Sequence, residues 1–376
     1  MLKLEQVQTG KQSINNLLLQ KNLHFFWHTN NIQSYTKLMK IIIVRLIIAL
    51  TYIILVIDSK VSSQTRYEYK TYKMGTEINL IFYEYDKDKA TAIVDVVLKR
   101  INELERELSN YIVNSEVNKL CNQFNVDVKV SDDLYDILSL ANTISTQTEG
   151  AFDITSAPYI DLWKKAIKTK KIPTNEELLA LNKRVGYQNI EFPSLKNTIR
   201  LKRKKMQIDL GGIGKGFTAD QVLKTLEIYG VKSALIDVGG DLSVSSPPPK
   251  KEYWEVSFSY FDKNKNEVVK KIKLKNQSVA TSGDLFQYVE IDGSRYSHIV
   301  DPTNNGMALK NSYQVTVIAS NGAYADGYAT ALSVLGIDKA KLFSKSLVDI
   351  EIFMVQQSAN EYVQWNNPEF ITYYID

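Results

Sequence analysis

The feature that most constrains this 376-residue chain is a glycine-rich corner at residues 208–216, with the sequence IDLGGIGKG. Four glycines fall within six residues, between a segment that predicts a strand and one that predicts a helix. Backbone without side chains can approach a ligand closely, and the N–H groups at a helix start favour anionic oxygens. Lys215 adds a point charge suited to phosphate. The corner therefore predicts a phosphate site, and the alternative is a turn needed only for packing.

Two familiar phosphate loops are excluded by spacing. Neither Ser nor Thr follows Lys215, so the corner is not a Walker loop. The glycine register also differs from the GxGxxG dinucleotide fingerprint.

The rest of the folded part predicts a mixed architecture. Apolar residues at three- and four-residue spacing predict several helices, and alternating segments predict strands, with a hairpin turn at 262–266. The helix and strand patterns do not follow the regular alternation of a doubly wound sheet. We therefore predict an α+β or mixed α/β class, with largely antiparallel sheets flanked by helices. The predicted helices are 87–108, 131–148, 175–182, 216–229 and 323–335, and the strands include 198–210, 233–237, 253–259, 267–273 and 313–319.

Composition limits the kind of metal site and partner. One cysteine excludes a disulfide framework and a cysteine-built zinc or iron–sulfur centre, so any metal should have oxygen ligands. Lys and Arg total 46 against 42 for Asp and Glu, a net charge of +4. This excess is too small to indicate a polyanionic partner, and no nucleic-acid binding is predicted.

The first sixty residues indicate export. Residues 41–57 form the long apolar run, preceded by Lys40 and interrupted by Arg45. This run is shorter than the roughly 20 apolar residues of a membrane span. We predict a signal peptide over 39–63, with an uncleaved membrane anchor as the alternative. Residues 1–38 would then be an N-terminal extension that reflects start-codon choice. The folded part, 64–376, is expected to be periplasmic or anchored to the periplasmic face of the inner membrane.

Two further clusters carry oxygen and nitrogen groups suited to chemistry. Asp326 and Thr330 stand four residues apart, so on a helix their oxygens face one side and suit Mg²⁺. The alternative is a first-turn acid and a hydroxyl bonded to its own helix. His298 is the one histidine outside the leader, either a proton carrier or a structural residue. Asp153 lies in a predicted helix-to-strand loop, which is a weak signal alone.

These clusters belong to a set of motifs that resembles the ApbE family, the FAD:protein FMN transferases. The resemblance covers about residues 66–345 and implies the ApbE-like fold, with FAD in a cleft. Its eight motifs, in family order, are 74–76 (MGT), 108–111 (LSNY), 150–155 (GAFDIT), 209–216, 238–241 (VGGD), 282–284 (SGD), 298–302 (HIVDP) and 325–332 (ADGYATAL).

The resemblance implies a role for individual residues. His298 corresponds to the histidine near the reacting pyrophosphate, and Gly214 departs from the family by standing where alanine is frequent. The residues Asn304, Asn305 and Gly306 loosen the usual turn after Asp-Pro. The implied Mg²⁺ ligands are Asp326, Thr330 and the backbone carbonyl of Gly212. The implied FAD-binding residues are Met74, Tyr111, Ala151, Phe152, Asp153, Asp209, Lys215 and Val300.

The activity implied by the resemblance is Mg²⁺-dependent transfer of FMN from FAD to a Thr or Ser of a target protein, with release of AMP. His298 and Asp326 are the expected catalytic residues. The expected acceptors are redox-pump subunits or exported flavoproteins, reached from a possible inner-membrane tether. The alternatives are an FAD pyrophosphatase, which yields FMN and AMP, and a non-catalytic exported FAD-binding protein.

Overall fold

The computed structural model describes residues 21, 37, 39–51, 63–283, 288–358 and 361–375. The chain divides into two units, Met1–Ser63 and Gln64–Asp376. In the first unit, residues 39–51 are helical. No helix in the described part of the chain combines the length and apolar character that crossing a membrane requires. The predicted signal or anchor over 39–63 lies partly outside the described residues and stays a prediction.

The second unit is built from seven helices of very different lengths and many strands among the described residues. Its described helices are α1 (Lys87–Leu108), α2 (Glu116–Cys121), α3 (Asp132–Gln147), α4 (Ala157–Thr169), α5 (Asn175–Leu181), α6 (Gly214–Ile228) and α7 (Gly322–Phe343). Its described strands are β1 (Thr65–Lys73), β2 (Thr76–Glu84), β3 (Val128–Lys129), β4 (Ile190–Glu191), β5 (Thr198–Leu201), β6 (Ala234–Val238), β7 (Asp241–Val244), β8 (Trp254–Phe261), β9 (Glu267–Leu274), β10 (Gln277–Gly283), β11 (Tyr288–Ile291), β12 (Ser294–Ser297), β13 (Val300–Asp301), β14 (Met307–Ala308), β15 (Ser312–Ala319), β16 (Glu351–Gln357) and β17 (Tyr362–Asn366).

An eight-stranded sheet organises this unit. Its strand order is β1-β2-β6-β7-β10-β15-β16-β17, and each neighbouring pair is antiparallel. Small two- and three-stranded sheets contain the remaining strands. The predicted class, largely antiparallel sheets flanked by helices, is confirmed.

The eight-stranded sheet is covered on both faces, which gives three layers. On one face, α1 and α6 pack against β2 and β6 in a buried cluster that includes Ile93, Val222 and Ile236. On the opposite face, the β8–β9 hairpin packs through Trp254 and Phe258. Alternate residues of a strand point to opposite faces, so β6 supplies Ile236 to the first layer and Leu235 to the second.

The predicted elements match the structure where their signal is local. Helix α1 has the predicted bounds, because its buried positions recur every three or four residues and Asp86 caps its start by accepting from the Lys89 N–H. The predicted hairpin at 253–273 is also confirmed. The prediction of a strand over 198–210 is wrong beyond Leu201, because residues 202–205 are exposed and Lys205 takes a positive φ of 60°. Helix α4 was not predicted.

Cys121 ends helix α2 and packs against the largest buried cluster. Burial raises the pKa of its thiol to about 11. At neutral pH this side chain is therefore a protonated, apolar packing element.

Helices α6 and α7 touch backbone to backbone at their first turns. A methyl group added at Gly216 would overlap the carbonyl of Gly322, and one added at Gly322 would overlap the carbonyl of Gly216. Here glycine is required by close approach. This contact brings the glycine-rich corner, which ends in α6, against the start of α7.

We expect Gly216→Ala to lower the free energy of unfolding by about 1–3 kcal/mol or more, because the two helices must separate to admit the methyl group. The matched control is Gly214→Ala on the same helix, where an added Cβ meets only Leu210 Cβ at 3.9 Å. That variant should be neutral or more stable by up to about 1 kcal/mol. Urea unfolding of both variants checks the prediction, and equal losses would contradict it.

Candidate functional site

The candidate site lies where α6 and α7 begin. Asp326, in the second turn of α7, is buried with 5% of its surface exposed. Its Oδ2 accepts a hydrogen bond from the Gly216 N–H at 3.2 Å. A carboxylate at the start of a helix is stabilised by the free N–H groups there. The Asp326 side chain is thus aimed at the glycine-rich corner rather than at solvent.

The corner itself lies against the same helix. An ideal Cβ built on Gly212 would stand 3.0 Å from Thr330 Oγ1 and 3.3 Å from the Phe152 ring. Asp326 and Thr330 are one turn apart on α7, so both face this corner. The structure therefore brings together the three predicted metal-binding residues, although metal binding by them stays a prediction.

Lys215 is held by a partner that the sequence did not assign to it. Its Nζ lies 2.8 Å from Oδ2 of Asp241, and that oxygen has no further hydrogen-bond partner. Asp241 is fully buried at the start of β7, and its Oδ1 accepts from the Thr281 N–H at 3.3 Å. Burial alone would lower the pKa of Lys215, but attraction by Asp241 and Asp326 outweighs it and raises the pKa. About a third of the side chain remains exposed (34%), so the ammonium can still meet a ligand.

The carboxyl of Asp326 is strongly perturbed. Burial, followed by repulsion from Asp241, raises its pKa to about 8. Lys215 and the Gly216 N–H offset part of this effect. The ionised form of Asp326 is therefore unfavourable in this buried site. A divalent cation bound beside the carboxylate would lower that cost.

The donor set suits a hard cation. Asp326, Thr330 and the Gly212 carbonyl offer one carboxylate and two neutral oxygens, the ligand types that Mg²⁺ takes. Across the described ranges, no three or more His, Cys, Asp or Glu side chains gather in a way that could hold a metal ion. The site is compatible with that finding, because only one of its predicted ligands is a carboxylate.

The loop at 150–155 is tied to the corner. The Asp209 N–H donates to the Ile154 carbonyl at 2.7 Å, and Asp209 Oδ1 accepts from the Gly211 N–H at 2.8 Å. Ala151 and Phe152 are buried beside this junction. The predicted FAD-binding residues of the loop and those of the corner therefore lie on adjoining segments.

The Asp153 side chain in that loop is fixed by three hydrogen bonds. Its Oδ1 accepts from the N–H and hydroxyl of Thr155, and its Oδ2 accepts from the Tyr187 N–H at 3.0 Å. Burial raises its pKa despite these bonds. A cavity of about 270 Å³ opens here, and its lining includes Asp153, Tyr187, Thr303 and Asn305.

The remaining predicted residues have different surroundings. Met74 has a positive φ of 52°, and its sulfur accepts from the Thr218 hydroxyl at 3.5 Å, next to the corner. Val300 is buried in a separate cluster with Tyr159 and Trp163. His298 is exposed between β12 and β13.

Tyr111 is not part of the buried centre. Its ring is 81% exposed and lies 5.4 Å from Lys164 Nζ of α4. Asp284, which ends one of the quoted motifs, lies outside the described residues.

Sequence reasoning missed two carboxylates. Asp241 stands in the quoted motif at 238–241, so its position was visible but its pairing with Lys215 was not. Asp220 follows Gly216 by one helical turn and bonds to the first residues of α7. Its partners lie about one hundred residues away, and no local pattern predicts such a contact.

Comparison with known proteins points to one family. The pattern of the ApbE family matches residues 74–354. An FAD:protein FMN transferase of Salmonella typhimurium is 30% identical over 250 residues, which are 65% of this chain and 71% of that protein. The flavin transferase ApbE from Vibrio cholerae has a similar fold, with a TM-score of 0.73 at 24% identity over 82% of this chain and 99% of that one. The ApbE protein of Thermotoga maritima gives a TM-score of 0.71 at 26% identity, over 83% of this chain and 100% of that one.

The raised pKa of Asp326 predicts how the metal-free protein responds to pH. Between its ordinary pKa of 3.8 and about 8, the folded protein keeps a proton that the unfolded chain releases. Stability from this group therefore falls as pH rises, by at most about 1.4 kcal/mol per pH unit. Asp326→Asn does not titrate, so we expect it to gain stability relative to wild type from pH 5 to pH 8. Thermal unfolding in EDTA measures this difference, and parallel curves for the two proteins would contradict it.

Proposed function

The chain belongs to the ApbE family, and from this premise we propose that it transfers the FMN part of FAD to a Thr or Ser hydroxyl of a target protein. One structural observation supports the proposal above others. The glycine-rich corner and the α7 pair Asp326 and Thr330 lie side by side, with Gly212 against Thr330 and Gly216 bonded to Asp326. This arrangement gathers a carboxylate, a hydroxyl and the Gly212 backbone at one point, and such oxygens could hold the cation that neutralises a pyrophosphate.

The proposed reaction is a phosphoryl-group displacement. The acceptor hydroxyl oxygen forms a bond to the FMN phosphorus, and the bond from that phosphorus to the bridging oxygen breaks. AMP leaves with the electron pair, and the hydroxyl proton goes to a base. His298 is the proposed base, because it is an exposed imidazole on the loop next to Val300.

Asp326, Thr330 and the Gly212 carbonyl would hold Mg²⁺. When bound there, the ion would supply Lewis-acid neutralisation of pyrophosphate charge. The protein's own contribution is to hold the Asp326 carboxylate towards the corner through the Gly216 N–H. Because the pKa of this carboxyl is about 8, it must lose a proton before it can act as a ligand.

Lys215 is proposed to hold a phosphate oxygen. Asp241 keeps its ammonium charged and fixed, since the two lie 2.8 Å apart. The remaining proposed FAD contacts are Met74, Tyr111, Ala151, Phe152, Asp153, Asp209 and Val300.

Partner and location are proposals from the sequence. The acceptor would be a flavoprotein with a reactive Thr or Ser, either a redox-pump subunit or an exported protein. The apolar run at 41–57 supports export, with the folded part on the periplasmic side.

The direct test uses the full chain with FAD, Mg²⁺ and a co-expressed acceptor domain. We expect mass spectrometry to find FMN attached to Thr or Ser of the acceptor, and Asp326→Ala to abolish the product while the protein still folds. Asp338→Ala is the control, because Asp338 is a fully exposed carboxylate in the part of α7 beyond the kink at Gly336. FMN and AMP without labelled acceptor would instead indicate an FAD pyrophosphatase. Bound FAD that stays intact would indicate a non-catalytic binding protein.

A second test concerns Lys215. We expect Lys215→Ala to weaken FAD binding by about 1–3 kcal/mol, the range for a lost bond to a charged group. The substitution also leaves Asp241 buried without its partner, so the double variant Lys215→Ala/Asp241→Asn is needed. If the lysine contacts phosphate, the double variant stays weak by fluorescence titration. Restored affinity would contradict the phosphate role.

A further inference from the structure

A second carboxylate joins the two helices of the site. Asp220, in the second turn of α6, is partly buried. Its Oδ1 accepts from the Gly322 N–H at 2.7 Å and from the Ser243 hydroxyl at 3.1 Å. Its Oδ2 accepts from the Ala323 N–H at 3.0 Å. Three donors therefore hold one side chain, and two of them are the first N–H groups of α7.

This contact mirrors the one made by Asp326. Asp326 extends from α7 to an N–H at the start of α6, and Asp220 extends from α6 to N–H groups at the start of α7. Each carboxylate stands four residues after the glycine at which the helices touch, Gly216 or Gly322. The glycines have no side chains that could interlock. The two carboxylates therefore each tie their own helix to the first turn of the other.

We propose that Asp220 is a positioning residue for the metal site. By holding the first turn of α7 against α6, it places Asp326 and Thr330 towards Gly212. The inference rests on the proposed Mg²⁺ site but concerns a residue that is not one of its ligands.

The same helix end offers a matched comparison. Asn321 is the N-cap of α7, and its side chain accepts from the Tyr324 N–H at 2.9 Å. This bond lies within α7 and its cap, whereas the bonds of Asp220 cross to another helix. Loss of either side chain should destabilise the end of α7. Only loss of Asp220 should change where α7 sits relative to the corner.

The chemistry of Asp220 also defines a conservative variant. Asparagine has nearly the same volume, but its amide has one acceptor oxygen and a donor group in place of the second. Asp220→Asn therefore cannot accept from both Gly322 and Ala323 through separate oxygens. The variant should therefore lose the two-oxygen contact with the start of α7, with little change in packing.

The test measures Mn²⁺ binding to the full chain by electron paramagnetic resonance, without FAD and without turnover. Thermal unfolding is recorded for wild type, Asp220→Asn, Asn321→Ala and Asp326→Ala. We expect Asp220→Asn to weaken Mn²⁺ binding by about tenfold, the lower end for a lost supporting partner of a metal ligand. Asn321→Ala should lower the Tm to a similar extent but change Mn²⁺ binding less than about twofold.

The possible outcomes separate the two proposals. If Asp220→Asn and Asn321→Ala weaken Mn²⁺ binding equally, the positioning role is overturned and Asp220 is only a helix cap. If Asp326→Ala binds Mn²⁺ as wild type does, both the metal site and the positioning role are overturned. Should Asp220→Asn fail to fold, Ser243→Ala removes one bond to the carboxylate, and unchanged Mn²⁺ binding in that variant would overturn the role.

Discussion

The site depends on the backbone contact between Gly216 and Gly322. A side chain on either residue would overlap the backbone of the other helix, so this contact exists only because neither residue has one. As a result, the corner before α6 and the second turn of α7 share one small volume. The hydrogen bonds of Asp220 and Asp326 then fix the two helix ends in place.

Charge in this volume is unevenly balanced. Asp241 and Asp326 are buried carboxyls, and Lys215 is the cation that the structure places beside Asp241. Burial, followed by repulsion from Asp241, raises the pKa of Asp326 to about 8, and Lys215, which is paired with Asp241, offsets only part of this effect. A buried carboxyl with this environment is an unfavourable feature for stability alone, and such groups concentrate at functional sites.

Local patterns predicted the elements whose signals are local. Helix α1 shows two features by which a helix is predicted from sequence, an apolar stripe and an N-cap residue, Asp86. Residues 206–210 show the limit of such reasoning, because Met206, Ile208 and Leu210 are buried at alternate positions without forming a strand. Alternation reports which side chains are buried, and pairing requires a neighbouring strand that the sequence does not specify.

The same difference between local and long-range signals applies to the candidate site. That Gly212 and Thr330 lie together could be predicted because their motifs are recognisable within a few residues, and metal binding there stays a prediction. The pairing of Lys215 with Asp241 and the contacts of Asp220 could not, because each partner comes from a distant part of the chain. Carboxylates whose partners lie far away in the sequence can be identified only when the structure shows the elements in contact.

The single thiol has a consequence for where such a protein can work. Disulfide formation and oxidation proceed through the thiolate, and a pKa of about 11 for Cys121 leaves about one thiol in ten thousand ionised at neutral pH. The one thiol of the described fold is therefore held in the form that reacts slowly with oxidants.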